Sequence, residues 1–440
     1  MEELSGYRGK ALGFLRKAKA RVGDVLELKT AWGDVKGTLV PRYAYGDDDH
    51  IVLKLSTGYN VGLSTASLKG ARVVARGQKP KFTSLPPPRP VKKLPRVLLL
   101  GTGGTIASRV DYRTGAVHPA VSSADLYSLV PELSEMAQVE PEILFNVFSE
   151  NMTPQHWSKI SLRVERGVQQ GVAGVVITHG TDTLGYTAAA LSFALQGVPV
   201  PVVFVAAQRS SDRPSSDAPL NLVCGVSAAA TGSFSGVFAA MHADESDDRV
   251  ALHSGTRIRK NHTSRRDAFV SVGTSPVAVW GRGGPESVTD GLPARRSDRK
   301  FKAKSKFDPR VALLKFYPSM PPAVFRSLSG KVRGVVIEGT GLGHVSSQMV
   351  KELGRYVDSG GLACMTSQCI NGRVNLNVYD TGRDLQRAGV IPLEDMLAET
   401  ALVKAMWALG NSKDRDGAAD LMKANLAGEI TTRTFPGPLD

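Results

Sequence analysis

Residues 97–106 read VLLLGTGGTI, and residues 175–184 read VVITHGTDTL. Each begins as a short apolar run of the kind that forms a strand buried on both faces, and each stops at a turn of glycine and threonine. Open α/β sheets hold their ligands at the carboxyl ends of strands, so the pair places Thr102, Thr105, Thr181 and Asp182 where a ligand would sit. Outward from these runs the text alternates strands and helices, which predicts an α/β fold. AGVVIT (173–178) leads into a helix that ends at Gly197, and VPVVFVA (200–206) follows as the next strand. That order implies a right-handed parallel crossover. A second cluster, VALLKFYP (311–318), VRGVVIEGTG (332–341), a helix through 345–361 and a closing helix over 394–410, reads as a smaller α/β domain. The expected boundaries are 96–290 and 291–440.

Ahead of this block, residues 1–78 read differently. Tyr7 to Val22 has helical spacing with a basic face, and VLELKT, GDVKGTLVPRY and HIVLKLSTGYNVGLS follow as short strands with period-two alternation. Several strands in so short a stretch predict a small β-barrel. Between the blocks, residues 79–95 are dense in proline, which forbids helix interior and central strand and predicts an extended linker.

The whole chain has 440 residues, 42% hydrophobic and 22% charged, with a formal net charge of +14. Such composition is globular, and the length suits two or three domains. No apolar run is long enough for a membrane helix and the opening residues lack an apolar signal core, which predicts a cytoplasmic protein. Cys224, Cys364 and Cys369 lack zinc spacing and are too few for a disulfide framework; free thiols are expected, with a Cys364–Cys369 pairing the minor alternative. The positive charge fits a polyanionic partner such as RNA, or a solvated surface, equally well. Its densest part is the polar segment 281–310, with Arg295, Arg296, Arg299, Lys300, Lys302, Lys304 and Lys306. It reads first as a solvated loop, and second as an arm touching phosphates.

The chemistry of the two turns is hydroxyl-rich and poor in cations. No Gly-Lys-Ser/Thr follows Gly101-Thr102-Gly103-Gly104-Thr105, so it is not a phosphate loop, and Ile106 stands where a dinucleotide fingerprint needs glycine. Hydroxyls with oriented backbone N–H groups suit a carboxamide and its tetrahedral intermediate. Asp182 taken alone reads as a helix cap. A threonine nucleophile needs an activating base. Lys260, in GTRIRKNHTSRRDAF, has neighbouring positive charge, which with burial lowers a lysine pKa as a base requires; taken alone it reads as an exposed loop lysine. Tyr112, in DYRTGAV, is either a residue closing over the site or an exposed loop aromatic.

At this point the motifs become recognisable. GTGGTIAS and THGTDTL, with NVFSENM (146–152), QRSSDRPSSDAPLNL (208–222) and the lysine of IRKN, resemble the bacterial-type L-asparaginase/glutaminase family over roughly residues 96–410. The N-terminal block with LVPRYAYGDDDHIVLKLSTGYNVGL, and the closing stretch from MTSQCINGRV, resemble more narrowly the D subunits of archaeal glutamyl-tRNA(Gln) amidotransferases. The resemblance implies an asparaginase-like two-domain α/β fold, with a larger N-terminal Rossmann-like or flavodoxin-like parallel sheet and a smaller C-terminal α/β domain, preceded by the small barrel. It implies a catalytic set of Thr102, Thr181, Asp182, Lys260 and Tyr112. The substrate would meet Gly101, Gly103, Gly104, Thr105, Ser149, Glu150 and Gly180. Two positions depart from the family: Glu150 stands for a glutamine, and Leu342 in GTGLGH (339–344) for an asparagine.

What the resemblance implies for function is glutamine hydrolysis through a threonine nucleophile. The ammonia would pass to a partner E subunit that converts Glu-tRNA(Gln) to Gln-tRNA(Gln). No cofactor and no metal is expected in this chain; ATP and Mg2+ belong to the E subunit. The implied assembly is a heterotetramer of two D and two E subunits, with a homodimer through the asparaginase-like domains, tRNA(Gln) bound via the complex, and no membrane. The alternatives are a stand-alone L-asparaginase and a non-catalytic tRNA-binding subunit.

Overall fold

Alternating leucines and isoleucines build the first part of the chain. The computed structural model describes residues 4, 6–42, 47–56, 60–77, 94–104, 108–110, 117–119, 130–209, 215–328 and 330–433. Helix α1 (Gly9–Lys17) buries Ala11 and Leu15. Strands β1 (Val25–Thr30), β2 (Gly33–Leu39), β3 (His50–Lys54), β4 (Asn60–Ser64) and β5 (Leu68–Ala75) form one antiparallel sheet in the order β4-β3-β2-β1-β5. Every second residue of β1 and β3 points inward, so Leu26, Leu28, Ile51 and Leu53 meet the helix in one core. The Tyr7 hydroxyl joins two strands by donating to the Val40 carbonyl at 2.8 Å and accepting the Val52 N–H at 3.1 Å. No ladder joins β4 to β5 among the described residues. The expected barrel is therefore an open five-stranded sheet capped by α1, with β4 and β5 as its two edges. Residues 79–95 of the expected linker fall, except for the last two, outside the described residues.

The chain divides into two compact units, Met1–Ser84 with Ser108–His118, and Leu85–Ala107 with Pro119–Asp440. In chain order the elements continue with β6 (Arg96–Gly101), the paired short strands β7 (Ser108–Val110) and β8 (Val117–Pro119), α2 (Leu133–Met136), β9 (Gln138–Ile143), α3 (Pro154–Gln169), β10 (Gly174–Thr178), α4 (Leu184–Ala194), β11 (Pro201–Val205), α5 (Ala218–Thr231) and β12 (Gly236–His242). Then come β13 (Arg249–Ser254), β14 (Ile258–Lys260), β15 (Phe269–Ser271), β16 (Ala278–Gly281) and β17 (Gly284–Val288).

The large sheet has the order β17-β16-β13-β12-β11-β10-β6-β9. From β12 to β9 it is parallel, as expected. From β13 to β17 it is antiparallel, so the sheet as a whole is mixed. At β12–β13 the physical reason is connection length: residues 243–248 are too few for a crossover helix and can only turn the chain back. Strands β14 and β15 pair apart from this sheet.

The second α/β part comprises β18 (Val311–Lys315), α6 (Pro322–Arg326), β19 (Gly334–Gly339), α7 (Ser347–Asp358), β20 (Leu362–Ser367), α8 (Asp380–Arg387), β21 (Ile391–Pro392), α9 (Ala398–Asn411) and α10 (Arg415–Lys423). Its four strands are parallel in sequence order. Helix α4 is apolar on every face, because it lies between the large sheet and α9. The Phe193 and Trp407 rings lie 6.0 Å apart across that contact.

The basic segment is largely tied down. Arg295 donates to the Ala229 and Ala230 carbonyls, Arg296 to Gly197 and Arg299 to Val172. Arg295 thus serves the carbonyl end of α5, where a cation is favoured. Lys304 lies over the Trp407 ring at 5.8 Å. The three cysteines are free, with Cys224 and Cys364 buried and Cys369 exposed. Burial pushes both buried thiols up to about 12. Among the described residues no helix is long and apolar enough to cross a membrane.

Candidate active site

Strands β6 and β10 are neighbours, with Gly101 opposite Thr178 at their carboxyl ends. The two turns read from the sequence therefore emerge side by side. Their contact is main chain against main chain, and glycine makes it possible. Gly104 has φ +81°, and a Cβ there would lie 2.7 Å from the His179 carbonyl oxygen. A Cβ on Gly180 would lie 2.8 Å from that of Ser149. Ser149 heads a one-turn 3-10 helix, Ser149–Asn151, and is buried, while Glu150 beside it is exposed. The Thr183 hydroxyl donates to the Ser149 carbonyl at 2.6 Å, which fastens this turn to the start of α4.

Lys260 ends β14. Its Nζ lies 2.9 Å from Thr181 Oγ1 and 2.8 Å from Asp182 Oδ1. The lysine side chain is 14% exposed and that of Asp182 is 68% exposed, so the ammonium arm is largely covered and the carboxylate faces solvent. Residues 78 and 79 positions apart in sequence meet here as a hydroxyl, an amine and a carboxylate. Such a set can take up and return a proton at one oxygen while the carboxylate compensates the charge.

Thr102 is placed differently from the expectation. Its side chain is wholly buried, and its hydroxyl donates to the Thr178 carbonyl at 2.7 Å. A buried hydroxyl with its proton on a main-chain oxygen clamps β6 to β10. Gly101 continues the sheet by accepting the Leu144 N–H at 2.9 Å. Thr105 and Tyr112 lie outside the described residues. Leu342 sits in the turn after β19, where Thr340 and His344 form a bridge.

Two groups beside the cluster were not singled out from the sequence. Arg259 pairs with Glu399 at 2.6 Å, and His179 is buried next to Gly180. The alternation Arg257-Ile258-Arg259-Lys260 carried a signal for the first, since period two sends Lys260 and Arg259 to opposite sides. His179 gives Nδ1 to the Gly180 carbonyl at 2.7 Å, while its Nε2 has no partner among the described residues. Burial pushes its pKa down to about 4, and that of His253 likewise.

Unfolded imidazoles take up protons near pH 6.5, so between there and pH 4 the unfolded chain binds protons that the folded chain refuses. Stability is thus complete above pH 6.5 and falls as pH drops towards 4, by on the order of 3 kcal/mol for each histidine. Denaturant midpoints at pH 7 and 4.5 check this, and His253→Gln should flatten the difference. Equal midpoints at the two pH values would contradict it.

A separate cavity of about 780 Å³, lined by Leu195, Val198, Val237, Phe238 and Leu292 among others, includes none of Thr181, Asp182 and Lys260. The Thr181–Asp182–Lys260 cluster thus sits at the strand ends, apart from that cavity.

Comparison with known proteins agrees with this architecture. Residues 96–289 match the model "Asparaginase, N-terminal", and residues 310–422 match "Glutaminase/Asparaginase C-terminal domain". The solved structure of the thermostable L-asparaginase from Thermococcus kodakarensis is 32% identical, with a TM-score of 0.68, and covers 77% of this chain and 100% of its own. The fold is that of the asparaginases, with an added N-terminal part. Residues 20–73 match "GatD N-terminal domain". The D subunit of the glutamyl-tRNA(Gln) amidotransferase of Pyrococcus furiosus is 46% identical over 96% of this chain and 98% of its own length. That of Sulfurisphaera tokodaii is 43% identical over 98% and 97%. The chain belongs to the family of glutamyl-tRNA(Gln) amidotransferase D subunits, enzyme subunits built on asparaginase-like domains.

Proposed function

We propose that this chain hydrolyses glutamine and supplies the ammonia to a glutamyl-tRNA(Gln) amidotransferase. The observation that carries the reading is the reach of Lys260 Nζ to both Thr181 Oγ1 and Asp182 Oδ1 at the mouth of two glycine-rich turns. A threonine Oγ attacks the carboxamide carbon, its proton passes to the departing nitrogen, the C–N bond breaks and ammonia leaves. Water then opens the γ-glutamyl ester, giving glutamate and the free hydroxyl. Thr181, Lys260 and Asp182 move the protons. The attack belongs to Thr105, the other hydroxyl of the first turn, because Thr102 is committed to the Thr178 carbonyl. Tyr112 assists it. Main-chain N–H groups of the turns at Gly103, Gly104 and Gly180 stabilise the oxyanion, where loss of one donor typically costs about 3 kcal/mol. Ser149 and Glu150 grip the amino-acid end of glutamine.

The names of the relatives support a subunit role. In this reading an E subunit, using ATP and Mg2+, activates glutamate on misacylated tRNA(Gln) and receives the ammonia. Two D and two E subunits form the complex, with the D subunits paired through their asparaginase-like parts. This chain itself carries no cofactor.

The test is ammonia release from glutamine by the purified chain with its co-expressed partner and tRNA. Thr105→Ala and Thr181→Ala should lose it. Thr102→Val should retain it at a stability cost of about 1 kcal/mol, the worth of one hydrogen bond. Loss on Thr102→Val in a folded protein would return the attack to Thr102. Asparagine hydrolysis by the chain alone, at a rate matching the best glutamine rate, would favour a free asparaginase.

A further inference from the structure

Resting on that reading, we infer that Arg259 and Glu399 are positioning residues for Lys260, so that the C-terminal α/β part sets the reach of a lysine whose targets lie in the N-terminal part. Thr181 and Asp182 sit between β10 and α4. The strand that delivers Lys260 is fixed elsewhere. Arg259 donates to Glu399 in the first turn of α9 at 2.6 Å. Arg257, 1% exposed, donates to the Asp395 carbonyl and carboxylate and to the Gly428 carbonyl, each within 3.1 Å. The Thr256 carbonyl accepts from the Thr400 hydroxyl at 2.9 Å.

Every residue from 256 to 259 except Ile258 is thus bonded to the C-terminal part, immediately before the lysine. Strand β14 has only three residues and pairs with β15 alone among the described strands, so these side-chain bonds add to the ladder and to the packing on α4 in fixing its direction. Arg257 is too buried to be altered without harming the fold. Arg259 is different. Its side chain is 31% exposed, and the second carboxylate oxygen of Glu399 is buried without a partner among the described residues. The pair's role is therefore to hold one strand end. A lysine that swings by a fraction of an ångström loses the alignment with Thr181 while substrate contacts at Ser149 and Gly180 stay in place.

The experiment measures kcat and KM for glutamine in the complex with its partner, for Glu399→Gln, Arg259→Met and Arg259→Lys, with Lys260→Met beside them. Glu399→Gln and Arg259→Met should each lower kcat about tenfold with KM within twofold, and the double variant should be no worse than either single one. Arg259→Lys should recover most of the rate. Thermal unfolding should show each variant folded. If Lys260→Met is inactive while the Arg259 and Glu399 variants keep the wild-type kcat, or if kcat falls only in proportion to unfolded protein, the inference is overturned and the glutaminase reading stands. If Lys260→Met is itself fully active, the reading and the inference fall together.

Discussion

Lys260→Met is expected to lower glutamine-dependent ammonia release by about 10²–10⁴-fold, the usual worth of a positioned proton-transfer group. Methionine keeps the length and apolar stem of lysine, so the packing of β14 against the start of α4 is preserved. A Cβ on Gly185 would lie 3.0 Å from the Ile258 carbonyl oxygen, which shows how closely the two elements fit. What the substitution removes is the amine between Thr181 and Asp182. Glutamine still has its contacts on the turns, so the loss should fall on kcat, with KM little changed. A comparable fall in KM-limited binding, or a rate within threefold of wild type, would contradict this assignment.

Lys404→Met is expected to destabilise the chain by about 3–5 kcal/mol, the cost of leaving one member of a buried ion pair alone. Lys404 and Glu429 are both 0% exposed, with Nζ 2.6 Å from the carboxylate. Lys404 also donates to the Met422 and Ala424 carbonyls, and Glu429 accepts the N–H groups of Leu426 and Ala427. Each charge thus organises main chain that would otherwise be buried without partners. After Lys404→Met, the Glu429 carboxylate has no cation in contact with it and the two carbonyls lose their donor. Denaturant unfolding measures the loss, and Lys404→Met with Glu429→Gln should recover part of it because no bare charge remains. A single-variant loss below about 1 kcal/mol would mean that water or another cation reaches the pair.

Much of the fold was legible because it is written in short-range pattern. The buried runs at 97–100 and 175–178 became β6 and β10, and the apolar stretch from Leu184 became α4. The helix expected over 394–410 begins at Ala398, since residues 394–397 turn the chain into it. The turn to antiparallel pairing at β13 was missed because only connection length distinguishes it, and the return of β16 to β13 is a long-range pairing that no local pattern marks. The open edge of the first sheet was missed because strand alternation is the same in a sheet and a barrel. Of the candidate site, the meeting of Lys260 with Thr181 and Asp182 rested on motif resemblance, since nothing local ties positions so distant. The burial of Thr102 against Thr178 was not legible, for a plain reason. Sequence places both threonines of GTGGT on one turn but cannot say which hydroxyl meets a neighbouring strand. Arg259 and Glu399 were passed over because their partnership spans the two α/β parts.

The central claim is that the amine of Lys260, acting on Thr181 and Asp182, drives release of ammonia from glutamine. The most direct measurement compares, in one preparation of the Lys260→Met complex, amide formation on tRNA fed by glutamine with that fed by ammonium salt. Loss of the glutamine-fed reaction with the ammonium-fed reaction intact is the predicted result. Equal rates from both sources, or equal loss of both, would contradict the account.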